Sequence, residues 1–132
     1  MFKIPEFIDS RGGLSVVEVG KQVPFEIKRV FFVHNVPESE VRGSHAHKEC
    51  HQYLICSGGT VSVTVDDGES RKTLELEGSG QGLHLPPGIW GEQFNYSKNA
   101  VLSVFSSHPY DKGDYLNDYD DFKNWLSQRK DG

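Results

Sequence analysis

Thr60-Val-Ser-Val-Thr-Val-Asp-Asp-Gly-Glu-Ser-Arg-Lys-Thr-Leu-Glu-Leu76 reads as two strands and the turn between them. Residues 60–65 alternate between apolar and polar, which places every second side chain on one face of an extended strand. Asp66-Asp67-Gly68 is a hairpin signal, and residues 71–76 return as the second strand. Working outward, comparable short runs rich in β-branched and aromatic residues occupy 4–8, 14–19, 25–33, 52–57, 82–85 and 100–105. Turn residues separate them: Asp9-Ser10-Arg11-Gly12-Gly13, Pro37-Glu38-Ser39-Glu40, Gly58-Gly59 and Pro86-Pro87-Gly88. About nine short strands at even spacing predict an all-β antiparallel sandwich or barrel. Only the tail has helical periodicity. Phe122, Trp125, Leu126 and Arg129 fall at i, i+3, i+4 and i+7, predicting a helix over about 118–129 with Asp118 or Asp120 as cap.

The 132 residues are expected to form a single domain, 1–132, with no internal repeat or linker. A net charge of −5 argues against nucleic-acid binding, which relies on basic patches, but leaves room for a small anion held by local cations. No apolar run reaches the roughly 18 residues of a membrane span. The start, Met1-Phe-Lys-Ile-Pro-Glu6, lacks an apolar signal core, so a cytoplasmic location is expected. Cys50 and Cys56 are about 20 Å apart on an extended strand and are expected to be free thiols.

The chemistry concentrates in Arg42-Gly-Ser-His-Ala-His-Lys-Glu-Cys-His-Gln52. His45 and His47 alternate, so on a strand both imidazoles share a face, and on a barrel wall they converge in one cavity. This pattern resembles the motifs of cupins, the double-stranded β-helix (jelly-roll) proteins. His45-Ala-His47 and Gly58 fit the first motif, but its glutamate position falls on His51 or Gln52. Gly80, Pro86, Gly88 and Asn95 fit the second, but its histidine position is Gly91. A cupin metal takes three histidines and a carboxylate; two of those four stand at the expected places, with His84 or His51 as substitutes. No metal is therefore expected, and the two histidines are read as acid/base groups.

Longer segments are similar to the thymidine-diphosphate-4-oxo-6-deoxyhexose 3,4-ketoisomerases. They are Asp9-Ser-Arg-Gly12, Pro24-Phe-Glu-Ile-Lys-Arg-Val30, Arg42-Gly-Ser-His-Ala-His-Lys48, Gln52, Pro87-Gly-Ile-Trp90, Ala100-Val-Leu102, and the tail from Tyr110 through Asp118-Tyr119 to Phe122. The resemblance implies a cupin fold and an isomerase of deoxysugar biosynthesis, serving a polysaccharide or O-antigen. It also implies a thymidine-diphosphate sugar substrate, no cofactor, and a homodimer exchanging N-terminal strands. The family commonly carries a tyrosine after Lys-Arg-Val where this chain has Phe31 and Phe32; His34 or Tyr53 would have to replace it.

In such a reaction His45 is assigned the proton on carbon and His47 the shuttle between oxygens, with the reverse assignment also open. Arg11, Arg29 and Arg42 are candidates for the diphosphate or an enediolate oxygen, because guanidinium forks suit both. Lys48 is a further candidate cation, and Gln52 would orient an imidazole. Trp90 would stack on the base or cover the sugar, or else is a buried core residue. A sugar-nucleotide 3,5-epimerase is the alternative enzyme; it calls for a histidine–aspartate pair and a tyrosine acid, for which the sequence offers no clear equivalent. A non-enzymatic sugar-binding cupin is the second alternative, and a metal-dependent dioxygenase comes last.

Overall fold

The computed structural model describes residues 2–131. Its strands are β1 (Phe2–Lys3), β2 (Glu6–Asp9), β3 (Gly12–Ser15), β4 (Arg29–His34), β5 (Arg42–His47), β6 (Gln52–Gly58), β7 (Thr60–Asp66), β8 (Arg71–Glu77), β9 (Gln81–Leu85), β10 (Trp90–Phe94), β11 (Val101–Ser106) and β12 (Tyr115–Leu116). The helix α1 (Tyr119–Asp131) closes the chain. β7 and β8 form the expected hairpin, with Thr60 opposite Glu77 and Asp66 opposite Arg71.

Two five-stranded sheets carry the fold, in the orders β1-β9-β6-β11-β4 and β12-β5-β10-β7-β8. Between them lies a core built from inward residues of both, including Leu54, Cys56, Val61, Val63, Leu76, Leu83, Leu102 and Val104. Each outer face is covered differently. Val17, Val23, Phe25 and Ile27 of the segment between β3 and β4 pack over Tyr53 and Ile55 on the first sheet. Helix α1 lies over the second, where Phe122 packs with Ala46, Trp90 and Leu116.

Several sequence-based boundaries shift. Residues 4–8 do not make one strand, because Pro5 removes a donor. β1 pairs with β9, whereas β2 turns back on β3 as a separate hairpin. The run 14–19 stays extended only to Ser15, and 25–33 enters the sheet only at Arg29, since Phe25 and Ile27 serve as the covering layer. Strand β10 was not foreseen: Trp90-Gly-Glu-Gln-Phe94 lacks the usual β-rich composition and is held by pairing with β5 and β7 on either side. The short β12 was likewise missed.

Helix α1 begins where Asp118 caps it, its Oδ1 accepting the Asp121 N–H at 3.0 Å. Tyr119 donates to the buried Asp66 at 2.8 Å and Lys123 donates to the Gly68 carbonyl, tying the helix to the β7–β8 turn. Phe122 has no exposed surface. Replacing it with alanine leaves a cavity under the helix, and Phe122→Ala should cost about 3–5 kcal/mol of stability in chemical unfolding.

Candidate active site

Alternation along β5 sends Ala46 outward to the helix layer and His45 and His47 inward. Just before them the ladder with β10 slips, Gly91 facing His45 and Glu92 facing Gly43, so that Ser44 bulges. Gly43 (φ 82°) and Ser44 (φ 52°) both take left-handed backbone there. A side chain at Gly43 would also strike the amide of Gln93, 2.5 Å from its Cβ, so this glycine is required twice over. The bulge turns the Gly43 carbonyl to His45, whose Nδ1 donates to it at 3.0 Å.

His47 is held from the other side. Its Nδ1 lies 2.9 Å from Asp114 Oδ2, with both side chains almost fully buried. An ionised carboxylate only accepts, so Nδ1 carries the proton and Nε2 presents a lone pair. That Nε2 is buried and has no hydrogen-bond partner. Asp114 also accepts from the backbone N–H of Glu49 at 2.7 Å and of Cys50 at 3.2 Å.

Tyr115, paired opposite His47 in β12, completes the wall. Its ring centroid lies 4.4 Å from that of His47 and 5.0 Å from that of His45, and the two imidazoles are themselves 5.0 Å apart, edge to face. Arg29 Nη1 lies 3.5 Å from the phenol oxygen and donates to it, leaving the phenol proton free. The guanidinium also sits over the rings of Phe31 and Tyr110.

These groups line connected spaces. An outer cleft of about 480 Å³ runs between Arg29, Phe31, Phe32, Arg42, His45 and Tyr115, within the range of small-molecule sites. It continues into a pocket of about 70 Å³ beside Gln52, Leu54, Gln93 and Val104. Innermost is a space of about 10 Å³ between His45, His47, Gln52 and Gly91. A larger groove of about 650 Å³, lined by Asn35, Thr60, Asn95 and Asn99 among others, contains no imidazole or arginine.

The site residues expected from the sequence separate into two groups. His45, His47, Arg29, Arg42 and Gln52 come together. Trp90 does not: it lies on the outer face of β10, only 4% exposed, against Tyr119 and Phe122, and its indole donates to Glu92. No face of that ring is open to a ligand, so the core reading of Trp90 is correct. Lys48 is exposed at the end of β5 and lines neither the cleft nor the inner pockets. Arg11 sits on the β2–β3 hairpin, highly exposed and paired with Asp9 at 2.8 Å.

Of the two residues suggested in place of the family tyrosine, Tyr53 is fully buried on the outer face and does not reach the cavity. His34, exposed at the end of β4 and bonded to Asn35, lines the outer cleft. His51 and His84 stack on each other beside Phe25, their nitrogens 3.0 Å apart, outside the cavity. Sequence reasoning missed Asp114, Tyr115 and Gln93. Asp114 lies 67 residues beyond His47, and no local spacing links them. The histidine–aspartate pair with an adjoining tyrosine, judged absent from the sequence, is therefore present.

His47, Cys50 and Asp114 offer ligand atoms within 4.8 Å of one another. As arranged, however, the Asp114 oxygens are taken up by two backbone N–H groups and His47, and the Cys50 thiol donates to the His51 carbonyl. At Gly91, which borders the innermost space, the fourth ligand position has no side-chain donor, and a Cβ there would meet Leu85 at 3.3 Å. These residues fit a hydrogen-bonded site better than a metal centre.

The site thus defines an enzyme-like cupin: a double-stranded β-helix with a buried histidine–aspartate pair at the end of a polar cleft. The family described as "FdtA: WxcM-like, C-terminal" matches residues 1–127. The TDP-4-oxo-6-deoxy-alpha-D-glucose-3,4-oxoisomerase of Aneurinibacillus thermoaerophilus is 38% identical over 123 residues, 93% of this chain and 88% of that protein. A structure of a histidine-to-asparagine variant of the 3,4-ketoisomerase QdtA from Thermoanaerobacterium thermosaccharolyticum, in complex with TDP-4-keto-6-deoxyglucose, superposes with a TM-score of 0.92 at 34% identity, covering 96% of this chain and 92% of that one. The WlaRB TDP-quinovose 3,4-ketoisomerase of Campylobacter jejuni gives 0.88 at 35% identity, covering 92% and 94%. The chain belongs to this family, the sugar-nucleotide 3,4-ketoisomerases of the cupin superfamily.

Burial disfavours the charged imidazole and, with His47 close by, pulls His45 down from 6.5 to about 4 against the pull of the Gly43 carbonyl. Burial lowers His47 as well, although Asp114 opposes it. Both are therefore neutral near pH 7. In the unfolded chain His45 takes a proton at its ordinary value, so between about 6.5 and 4 the unfolded state binds more protons. Stability should fall as pH drops through that window, by at most roughly 3 kcal/mol from His45 alone. Urea unfolding at pH 7 and pH 4.5 should show a smaller difference in His45→Asn than in the parent.

Proposed function

We propose that the protein moves the carbonyl of a thymidine-diphosphate-linked 4-oxo-6-deoxyhexose from C4 to C3. The observation that carries this reading is the inward-facing Nε2 of His47, backed by Asp114 and flanked by His45 and Tyr115. The substrate comes from the relatives' names. The C4 ketone acidifies the hydrogen at C3. His47 Nε2 takes that proton as the C3–H bond breaks, and the electrons form a C3=C4 enediolate with charge on O4. The imidazolium so formed is stabilised by Asp114, in the manner of other histidine–carboxylate pairs. The 3-hydroxyl proton passes to the 4-oxygen by way of His45 or Tyr115. Return of a proton to C4 leaves the ketone at C3, so one hydrogen has moved between carbons and one between oxygens. Asp114 thus supports the assignment opposite to the one first expected, with His47 on carbon and His45 on oxygen.

Arg29 and Arg42 at the cleft are suited to the enediolate oxygen or the diphosphate, and Gln52 to orienting His45 or the sugar. No cofactor enters the reaction, a reading supported by the hydrogen-bonded state of Asp114 and the lack of a side-chain donor at Gly91. A 3,5-epimerase would also use a histidine–aspartate pair with a tyrosine. Inversion, however, needs proton delivery from the opposite face, and Tyr115 packs beside His47 on the same wall.

Incubated with thymidine-diphosphate 4-oxo-6-deoxyglucose, the protein should give the 3-oxo isomer, followed by proton NMR, with turnover unchanged after dialysis against a strong chelator. His45→Asn and His47→Asn should each lose about 10² to 10⁴ in rate. His47→Asn should also stop exchange of the C3 hydrogen in deuterated water, whereas His45→Asn should retain some. Swapped exchange phenotypes would reverse the two roles, and full turnover in both variants would remove the histidines from the mechanism.

The protein also reads as a homodimer. β4 is an unpaired sheet edge among the described residues, with Phe32 60% exposed. The β2–β3 hairpin presents Phe7, Ile8 and Leu14, all more than half exposed, around Arg11. Strand exchange that lays the hairpin of one copy along β4 of another would cover both surfaces and bring Arg11 to the cleft. A cytoplasmic location is supported by the free thiols of Cys50 and Cys56. No described helix is long and apolar enough to cross a membrane. Light scattering should give twice the chain mass at micromolar concentration, and Ile8→Asp should shift the protein toward monomer; a stable monomer in the parent would rule out the exchange.

A further inference from the structure

The outer cleft is charged in one sense only. Its lining brings together Arg29, His34, Arg42, His45 and Tyr115 around Phe31, and among the described residues it includes no carboxylate. The chain as a whole carries 19 acidic against 14 basic residues, so the cleft departs from the overall charge. Neither arginine has a carboxylate partner among the described residues, whose ion pairs use Arg11, Lys21, His47 and Arg71. Unpaired guanidinium groups in a cleft without acids favour an anionic ligand.

The two ends of the cleft differ. Arg29 begins β4 and His34 ends it, so they stand five residues, roughly 17 Å, apart along one strand. Arg29 is already engaged: it donates to Tyr115 at 3.5 Å and lies over the rings of Phe31 and Tyr110. Those contacts hold it near the imidazoles, where the reading above places the reacting sugar. At the other end Arg42 opens β5 and shares the lining with His34.

His34 presents a defined donor there. Asn35 takes left-handed backbone (φ 55°), which asparagine tolerates better than most residues, and its Nδ2 lies 3.0 Å from His34 Nδ1. An amide nitrogen only donates, so Nδ1 accepts and the imidazole proton sits on Nε2. That N–H has no partner among the described residues. We infer that His34 is a further substrate-binding residue: its Nε2–H donates to a phosphate oxygen of the nucleoside diphosphate, beside the Arg42 guanidinium, while Arg29 stays with the sugar. This rests on the ketoisomerase reading above, which brings a diphosphate to the cleft. The order along the cleft fits such a substrate. Its reacting carbons lie against His45 and His47, and its diphosphate leaves the ring at the anomeric carbon. Arg42 precedes His45 by three residues, at most about 10 Å of strand, on the side where His34 stands.

Isothermal titration of the full chain with thymidine diphosphate is the test. His34→Ala should weaken binding about tenfold, as expected for one hydrogen bond to a charged group. His34→Gln, which keeps an amide N–H near the position of Nε2, should recover most of that loss. In the isomerase assay the loss should fall on KM far more than on kcat, because the phosphate contact is made equally in the ground and transition states. His34 is exposed, so neither variant disturbs the core. Equal affinity in the parent and His34→Ala, or a loss confined to kcat, would overturn the inference and leave the ketoisomerase reading intact. A parent that binds thymidine diphosphate but gives no 3-oxo product would overturn the ketoisomerase reading, while the titration still decides the phosphate contact.

Discussion

A single carboxylate organises the working end of the barrel. Asp114 receives the N–H groups of Glu49 and Cys50 and the Nδ1–H of His47, all within 3.2 Å. Those bonds join the segment after β5 to the turn before β12, and they align an imidazole whose other nitrogen faces the cavity. The arrangement works because the carboxylate is fully engaged, which makes the buried charge affordable and the tautomer unambiguous. Loss of the carboxylate would leave two backbone donors and a buried histidine unsatisfied together, so structure and chemistry here depend on the same atoms.

Around that point the fold separates three tasks. The inner faces of the two sheets bury an apolar core at one end and polar groups at the other. The outer faces are sealed by unlike covers, an irregular segment over Tyr53 and Ile55 and a helix over Ala46 and Trp90. Ala46 shows why both are needed: the two-residue period that aims His45 and His47 inward forces the residue between them outward, where it needs an apolar partner. Helix α1 therefore supports the site without contributing to it. The bulge at Gly43 and Ser44 adds the last adjustment, orienting His45 through a backbone carbonyl rather than a side chain.

Where sequence reading succeeded or failed follows from the range of the forces involved. Thr60–Asp66 and Arg71–Glu77 were legible because alternation and an Asp-Asp-Gly turn are local properties. Trp90–Phe94 was not, since that strand exists through its neighbours on both sides. Trp90 was offered a ligand because it follows a turn, but a residue's face is decided by register, and its register points to the helix. The same rule hid Tyr115: it could be named only as part of a similar tail until its pairing with His47 brought it into the cavity.

By itself, the sequence determined the all-β architecture, the closing helix, the convergence of His45 and His47, and the family to which the chain belongs. Each follows from periodicity or from motifs a few residues long, and such signals survive without any knowledge of distant contacts. The tertiary structure alone decided that Asp114 stands behind His47, that Tyr115 joins the imidazoles, and that Trp90 is core. These are relations between strands far apart in the chain, fixed by sheet pairing and register, and a carboxylate 67 residues away acquires its role only when that pairing places it against the imidazole.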